Sequence, residues 1–396
     1  MEEVDPIVVY LDSSDYSALS DPKRSSRTDE IRAQLVELAA ARGVIFAFSG
    51  IHISEMAPLE PKYTDAAAAR TDLMVQLCGR NTFLSHDRLF KLELGRLLAG
   101  DGTSAHALTH DGTWFPDLGG ISTPAQVIDA TAAIDEKGVE LGLNRQQRRL
   151  LKSKASRHGK FRSQFVKGMG GFDLTEILDR YPMRPQDAHV ITDYVLGKAD
   201  AKQADAAFLE SLRDPRWMMR WFHEHHDRLG PVGDWARAPA IKMMAALSEM
   251  VEAGNRLLHF EKETGIQTGV DFLDAARWQA QSEQLIRSVV NRLLQSEHPG
   301  TPSCDDIVAI NRYCPGISSL VGVAHASLKN SFGPNARKLA RSDFVDAMHA
   351  MYAPYVHVFR ADRYMAPIIK RCAERHGTLV AETLEKTPSA IQSVMP

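Results

Sequence analysis

Apolar residues fall into two kinds of run along this chain, and their order predicts its architecture. Ile7-Val8-Val9-Tyr10-Leu11 and Val44-Ile45-Phe46-Ala47-Phe48 are short, continuous and rich in β-branched or aromatic side chains, as buried strands are. Between them Ile31, Leu35, Leu38 and Ala39 recur at helical spacing, with Thr28-Asp29-Glu30 as an acidic start and Arg42-Gly43 as a basic, glycine-terminated end. A strand, a crossover helix and a second strand make a parallel pair. Ser49-Gly50-Ile51-His52-Ile53-Ser54-Glu55-Met56 then reads as a capped helix opening above the same sheet edge.

The far end of the chain repeats the pattern. Ser342 or Asp343 is placed to cap a helix carrying Phe344, Val345, Met348, Met351 and Tyr352, which Pro354 stops. Tyr355 to Phe359 follows as a strand, Pro367 to His376 as a helix ended by Gly377, and Thr378 to Ala381 as a last strand. The sheet is therefore expected from both ends of the chain, with Leu320 to Ala324 as the best further strand candidate. From about Pro58 to Pro302 the pattern changes to long helical periodicities without an internal repeat. Helices are expected at Asp65 to Leu77, Leu84 to Leu98, Asp205 to Leu212, Pro215 to His226, Ala240 to Leu258 and Phe272 to Leu294, with a loop from Asp101 to Gly120 and a flexible break at Lys167 to Gly171. The expected class is α/β. Residues 1–58 with 303–396 form a parallel sheet flanked by helices, interrupted by a large all-helical insertion over 59–302.

At 396 residues, 44% hydrophobic and 24% charged, the chain has the composition of a soluble globular protein with a sizeable core. Its four cysteines (Cys78, Cys304, Cys314, Cys372) show no CxxC spacing, and neither a secretory signal nor a membrane-length apolar run is found, so a reduced, cytoplasmic protein is expected. The net charge of −3 conceals an asymmetry. Arg145, Arg148, Arg149, Lys152, Lys154, Arg157, Lys160, Arg162 and Lys167 follow one another without an intervening acid, while the rest of the chain is correspondingly acidic. A dense basic segment on an acidic protein is suited to a polyanion and equally to a solvated helix face.

The candidate chemistry is acidic. Asp12 and Asp362 each stand just past a strand, Glu55 lies near the start of the helix after the second strand, and Asp343 and Asp346 share one face of a helix at i, i+3. Any one of these alone reads as a helix cap or turn former. Together they converge on one edge of a parallel sheet, where carboxylates without basic partners repel one another unless cations neutralise them. Hard divalent ions with oxygen ligands, Mg²⁺ or Mn²⁺, fit such a set, and the implied chemistry is hydrolysis of a phosphodiester. His349 and His52 are read as packed or solvated before they are read as substrate contacts, and Asp15 as structural. Phe222-His223-Glu224-His225-His226 lacks the HExxH spacing of zinc peptidases, and Trp217 and Trp221 belong to an ordinary helix stripe. No phosphate-binding or dinucleotide-binding glycine fingerprint occurs.

These residues resemble the PIN domain, a family of metal-dependent nucleases that mostly act on RNA. The resemblance rests on Asp12-Ser13-Ser14 after an apolar strand, Ser54-Glu55 after the second, Asp343-Phe344-Val345-Asp346-Ala347 opening a helix, and Asp362 after the next strand. It covers roughly residues 5 to 58 and 303 to 390. It implies that Asp12, Glu55, Asp343, Asp346 and Asp362 bind Mg²⁺ or Mn²⁺ and that RNA, rather than DNA, is cut. One position departs from the family: where a Ser or Thr usually stands two residues before the last aspartate, this chain has Arg360. Two alternatives stand beside the nuclease: a nucleic-acid-binding scaffold without turnover, and a nuclease gated by an activating or inhibiting protein partner.

Overall fold

The computed structural model describes residues 5–41, 43–57, 60–100, 106–117, 123, 139, 142–157, 160–161, 181–195, 198–224, 248–249, 251–266, 275–332, 337 and 341–396. Arg162, Lys167, the Lys167 to Gly171 break, His225, His226 and the first half of the expected Ala240 to Leu258 helix, residues 240–247, lie outside them. Two compact units are present, Met1–Met56 with Asp65–Trp114 and Ala236–Pro396, and Ala57–Thr64 with Phe115–Trp235.

The first unit is α/β. Its strands β1 (Ile7–Tyr10), β2 (Val44–Ala47), β3 (Val358–Arg360) and β4 (Leu379–Ala381) form one sheet in the order β2-β1-β3-β4, every pair parallel. Ile7 is level with Val44, Tyr10 with both Ala47 and Phe359, and Val358 with Leu379. Central β1 is buried throughout, which is why it reads as a continuous apolar run rather than an alternation. Helix α1 (Ser13–Ser20) leaves β1, and α2 (Ser26–Ala40), capped by Ser25, crosses to β2. Then α3 (Gly50–Met56), α4 (Thr64–Cys78) and α5 (His86–Ala99) follow. Later come α6 (Ala275–Glu297), α7 (Pro315–Leu328), α8 (Arg341–Ala350), α9 (Ala366–Ala373) and α10 (Thr387–Val394).

Three expectations are corrected. Leu320 to Ala324 is not a strand but part of α7, in which every residue except Ala326 is buried. A helix covered on all sides shows no polar stripe, so its β-branched run imitates a buried strand. The strand expected at Tyr355 to Phe359 is also shorter and shifted, to Val358–Arg360. Ala353–Tyr355 is a 3₁₀ turn, held because Thr378 Oγ1 donates to the carbonyls of Ala353 (2.7 Å) and Val356 (2.9 Å). Finally, α5 and α6 pack with the sheet's own unit rather than in a separate insertion. Leu89 joins the core containing Val8 and Tyr10, and Leu94 packs in a cluster with Ile286, Val290, Ile310 and Ile317. Two bonds fix α5 on the start of α7, where Glu93 accepts the backbone N–H groups of Gly316 (2.5 Å) and Ile317 (3.0 Å). Only glycine fits there, since a Cβ at 316 would stand 2.6 Å from Glu93 Oε1 and 2.9 Å from the Met351 carbonyl.

The described part of the second unit is helical: Arg145–Ala155, Pro185–Val195, Ala201–Leu212 and Pro215–Glu224, with a short antiparallel ladder joining Ser156–Arg157 to Lys160–Phe161. Asp200 and Gln203 close a capping box at the start of Ala201–Leu212, and Tyr181, Phe208, Leu212, Met218, Trp221 and Phe222 are buried. Trp221 and Phe222 are thus core, and Trp217 is half-buried. Among the described residues no single helix is long and apolar enough to cross a membrane.

Candidate active site: an acid-lined cleft at the sheet edge

Parallel strands deliver their C-terminal residues to one edge, and here β1 and β3 each bring an acid. Asp12 leaves β1 in extended conformation (φ −81°, ψ 153°) as the N-cap of α1. Its backbone N–H donates to Asp15 Oδ2 (3.1 Å), and Ser14 Oγ donates to its Oδ2 (2.5 Å). Asp362 follows β3, with Oδ1 accepting the Met365 N–H at 2.6 Å, so the turn that starts α9 fixes its side chain. Asp346 projects from the second turn of α8. These three carboxylates line one cleft, together with Tyr10, His349 and Arg360.

Asp346 is the anomalous member. Its carboxylate makes no hydrogen bond or ion pair among the described residues. Burial pushes its pKa up to about 7; nearby His349 opposes this, and the charges of Asp12, Asp362 and Glu55 add to it. An unneutralised carboxylate among carboxylates is the environment a hard cation relieves.

Glu55 is placed differently from its sequence expectation. It sits behind His349 rather than in the cleft wall, accepting His349 Nε2–H (2.7 Å) and Ser13 Oγ–H (2.5 Å). Burial would raise its pKa, but His349 and Ser13 outweigh burial and leave it below the ordinary value. The buried imidazole responds in kind: burial disfavours its charge, yet Glu55, Asp12 and Asp346 raise its pKa. With Nε2 on Glu55, its Nδ1 meets Tyr10 Oη at 2.7 Å, and Tyr10 Oη meets Ser49 Oγ at 2.7 Å. A polar chain thus runs from Ser49 through the cleft-lining Tyr10 and His349 to Glu55.

Asp343 is also drawn away. It is buried in an ion pair with Arg337 Nη2 (2.8 Å), whose guanidinium lies 4.0 Å over the Tyr364 ring. His52 is a structural tie, as expected: Nε2–H donates to the Leu11 carbonyl (2.9 Å), Nδ1 accepts the Ser49 N–H (3.1 Å), and burial pushes its pKa down to about 3. This arrangement fixes the neutral tautomer. Asp15, buried, pairs with Arg360 Nη2 at 3.0 Å, and burial holds its pKa at about 7 despite that cation.

Sequence reasoning missed Tyr10 and Ser49, and read Arg360 only as a departure from the family pattern. The available signal was a hydroxyl-bearing ring at the last position of an apolar strand and a cation between that strand's counterpart and Asp362. For the metal, the donors in the cleft are all oxygens, as Mg²⁺ and Mn²⁺ require, and Asp346 supplies the uncompensated charge. Among the described residues, however, no three His, Cys, Asp or Glu side chains already stand at metal-holding spacing.

The basic run belongs to the second unit. Arg145, Arg148, Arg149, Lys152 and Lys154 lie on the helix Arg145–Ala155, and Arg157 and Lys160 on the short ladder after it. Arg145, Arg149 and Lys154 are exposed, and Arg148 and Lys152 are half-buried. Compared with family models, with curated proteins and with solved structures, the chain finds no match.

Proposed function

We propose that this protein is a divalent-metal-dependent nuclease that hydrolyses phosphodiester bonds, with RNA as substrate. The observation that carries the reading is the convergence of Asp12, Asp346 and Asp362, from three separate elements, on one cleft at the carboxyl edge of a parallel sheet. Asp346 stands there without a counter-ion of its own. Asp12, Asp346 and Asp362 would hold Mg²⁺ or Mn²⁺, which when bound polarises a phosphoryl oxygen and makes water a nucleophile at neutral pH. Glu55 and His349 act behind them: the ion pair sets the imidazole, and Tyr10 and Ser49 fix its tilt. The preference for RNA rests on the resemblance of these motifs to the PIN domain. Exposed Arg145, Arg149 and Lys154 support contact with a phosphate backbone, which would position substrate without reading its sequence.

A second reading is favoured by one observation. Two of the five candidate acids are already neutralised by protein cations, Glu55 by His349 and Asp343 by Arg337. A nuclease gated by a protein partner would rest in this arrangement and release those acids on activation.

The test incubates the purified chain and its Asp346→Asn variant with labelled RNA and DNA in Mg²⁺, Mn²⁺ or chelator. The expected result is metal-dependent cleavage of RNA that the variant loses. Equal cleavage by both proteins, or cleavage in chelator, would sink the site; metal binding without any cleavage would select the gated reading.

A further inference from the structure

Arg360 ends β3 and is the single Lys or Arg among the described residues lining the cleft. It is 8% exposed. A guanidinium stays charged at any pH a protein meets, so burying one demands compensation. Compensation here is partial. Nη2 pairs with Asp15 Oδ1 at 3.0 Å and Nη1 donates to the Ala361 carbonyl, while buried Nε–H has no acceptor among the described residues. Of five N–H donors, three therefore remain unused by these two contacts.

The surroundings say what would use them. Asp12, Asp346 and Asp362 repel any anion that enters, and a phosphodiester is an anion. A carboxylate would be the wrong ligand for such a wall unless a cation met it, and Arg360 is a planar fork matched to phosphate and carboxylate oxygens. Asp15 is fixed by the N–H of Asp12 through Oδ2 and pairs with Arg360 through Oδ1. It anchors the guanidinium of a residue that also lines the cleft.

We propose that Arg360 is a catalytic residue that binds a non-bridging oxygen of the scissile phosphate, with Asp15 as its positioning residue. The proposal rests on the nuclease reading and names the group that recognises the substrate at that site. As the water oxygen bonds to phosphorus and the bond to the leaving oxygen breaks, negative charge on the equatorial oxygens meets a fixed cation. The proton of the water ends on solvent or a carboxylate, and the leaving oxygen takes one in return.

The test uses the full chain with two readouts. Inorganic phosphate is titrated calorimetrically into the wild type, Arg360→Gln, Arg360→Lys and the double variant Asp15→Asn/Arg360→Gln, with and without Mn²⁺. RNA cleavage is followed in the same proteins. The double variant leaves no unpaired buried charge, so it keeps the fold in case Arg360→Gln does not. Phosphate affinity is expected to fall by about tenfold or more in both glutamine variants, and kcat by about 10²-fold, with Arg360→Lys between them and the wild type. Phosphate affinity within threefold of wild type in the double variant would overturn the proposal. The two readings fail separately. Unchanged phosphate binding with cleavage lost only in Asp346→Asn removes Arg360 and spares the nuclease. Phosphate binding that depends on Arg360 in a chain that cleaves nothing and binds no Mn²⁺ keeps the anion site and removes the nuclease.

Discussion

Two acids in the first unit, buried Glu93 and half-buried Asp346, share the same displacement and opposite surroundings. Burial pushes both Glu93 and Asp346 up to about 7. Around Glu93 every oxygen is used: Gly316 and Ile317 donate their N–H groups from the first turn of α7, and Tyr355 donates its hydroxyl. The helix start adds the positive end of its dipole. Around Asp346 there is no donor among the described residues, only the like charges of Asp12, Asp362 and Glu55 and an imidazole committed elsewhere. A displaced pKa therefore marks burial in both places, and only the partners separate a strut from a reactive site. Glu93 is a strut between α5 and α7. Asp346 has no such donor among the described residues.

The largest effect should come from swapping the two roles by substitution. Asp346→Asn is expected to lower RNA cleavage by roughly 10³-fold, whereas Glu93→Gln keeps the wild-type rate per folded molecule. Steady-state assays on the two purified variants decide this. A rate loss in Glu93→Gln comparable to that in Asp346→Asn would erase the distinction.

Stability should reverse the order. Glu93→Ala strands two backbone N–H groups and a tyrosine hydroxyl in the core, at a cost of about 2–4 kcal/mol. Asp346→Asn strands nothing, and removes a charge that the fold disfavours. Urea midpoints at pH 7.5 measure both, and a larger loss for Asp346→Asn would show that its carboxylate is a structural member.

The pH dependence separates them more finely. For an acid whose pKa is higher folded than unfolded, stability is fully present below the unfolded value of about 4 and is lost as pH rises through the folded value. Both acids thus weaken the native state between about pH 4 and 7. Mn²⁺ should cancel this loss for Asp346 alone, since a ligand that binds only the native state raises its melting temperature. Thermal melts from pH 4 to 8 with and without Mn²⁺ should converge for Asp346→Asn and stay separated for Glu93→Gln. No Mn²⁺ shift in the wild type would remove the metal from the account.

Much of this contrast was legible in the chain, and the rest was not for definite reasons. Strand ends followed by Asp12 and Asp362, and Asp346 on a helix face, were readable because local periodicity fixes where a side chain lands on a sheet edge. Partners were not readable, because they depend on how the chain folds back. His349 takes Glu55 across the fold, and Arg337, six residues before Asp343, takes that acid in a pairing that periodicity does not reveal. The strut was invisible too: Glu93 is one charged residue in the amphipathic pattern of α5, and its acceptor role depends on the approach of α7. That helix itself was misread, since full burial erased the periodicity by which helices are recognised.

The smallest and most discriminating comparison removes one hydroxyl from each ensemble. Tyr355→Phe takes a donor from Glu93, and Tyr10→Phe takes from His349 the partner of its Nδ1. Tyr355→Phe loses one hydrogen bond and should cost about 1 kcal/mol in urea, and Tyr10→Phe loses two and should cost about 2 kcal/mol. Their effects on function should part. Tyr355→Phe leaves Glu93 with the two backbone donors and the cleft unaltered, so cleavage stays at the wild-type rate. Tyr10→Phe frees one side of the imidazole that orients Glu55, and leaves Ser49 Oγ without that partner. A rate loss of about three- to tenfold follows from loosened positioning rather than a lost reacting group. Equal rates in the two phenylalanine variants would mean that the polar chain from Ser49 to Glu55 only packs. A loss in Tyr10→Phe as large as in Asp346→Asn would mean that its hydroxyl acts on the substrate itself.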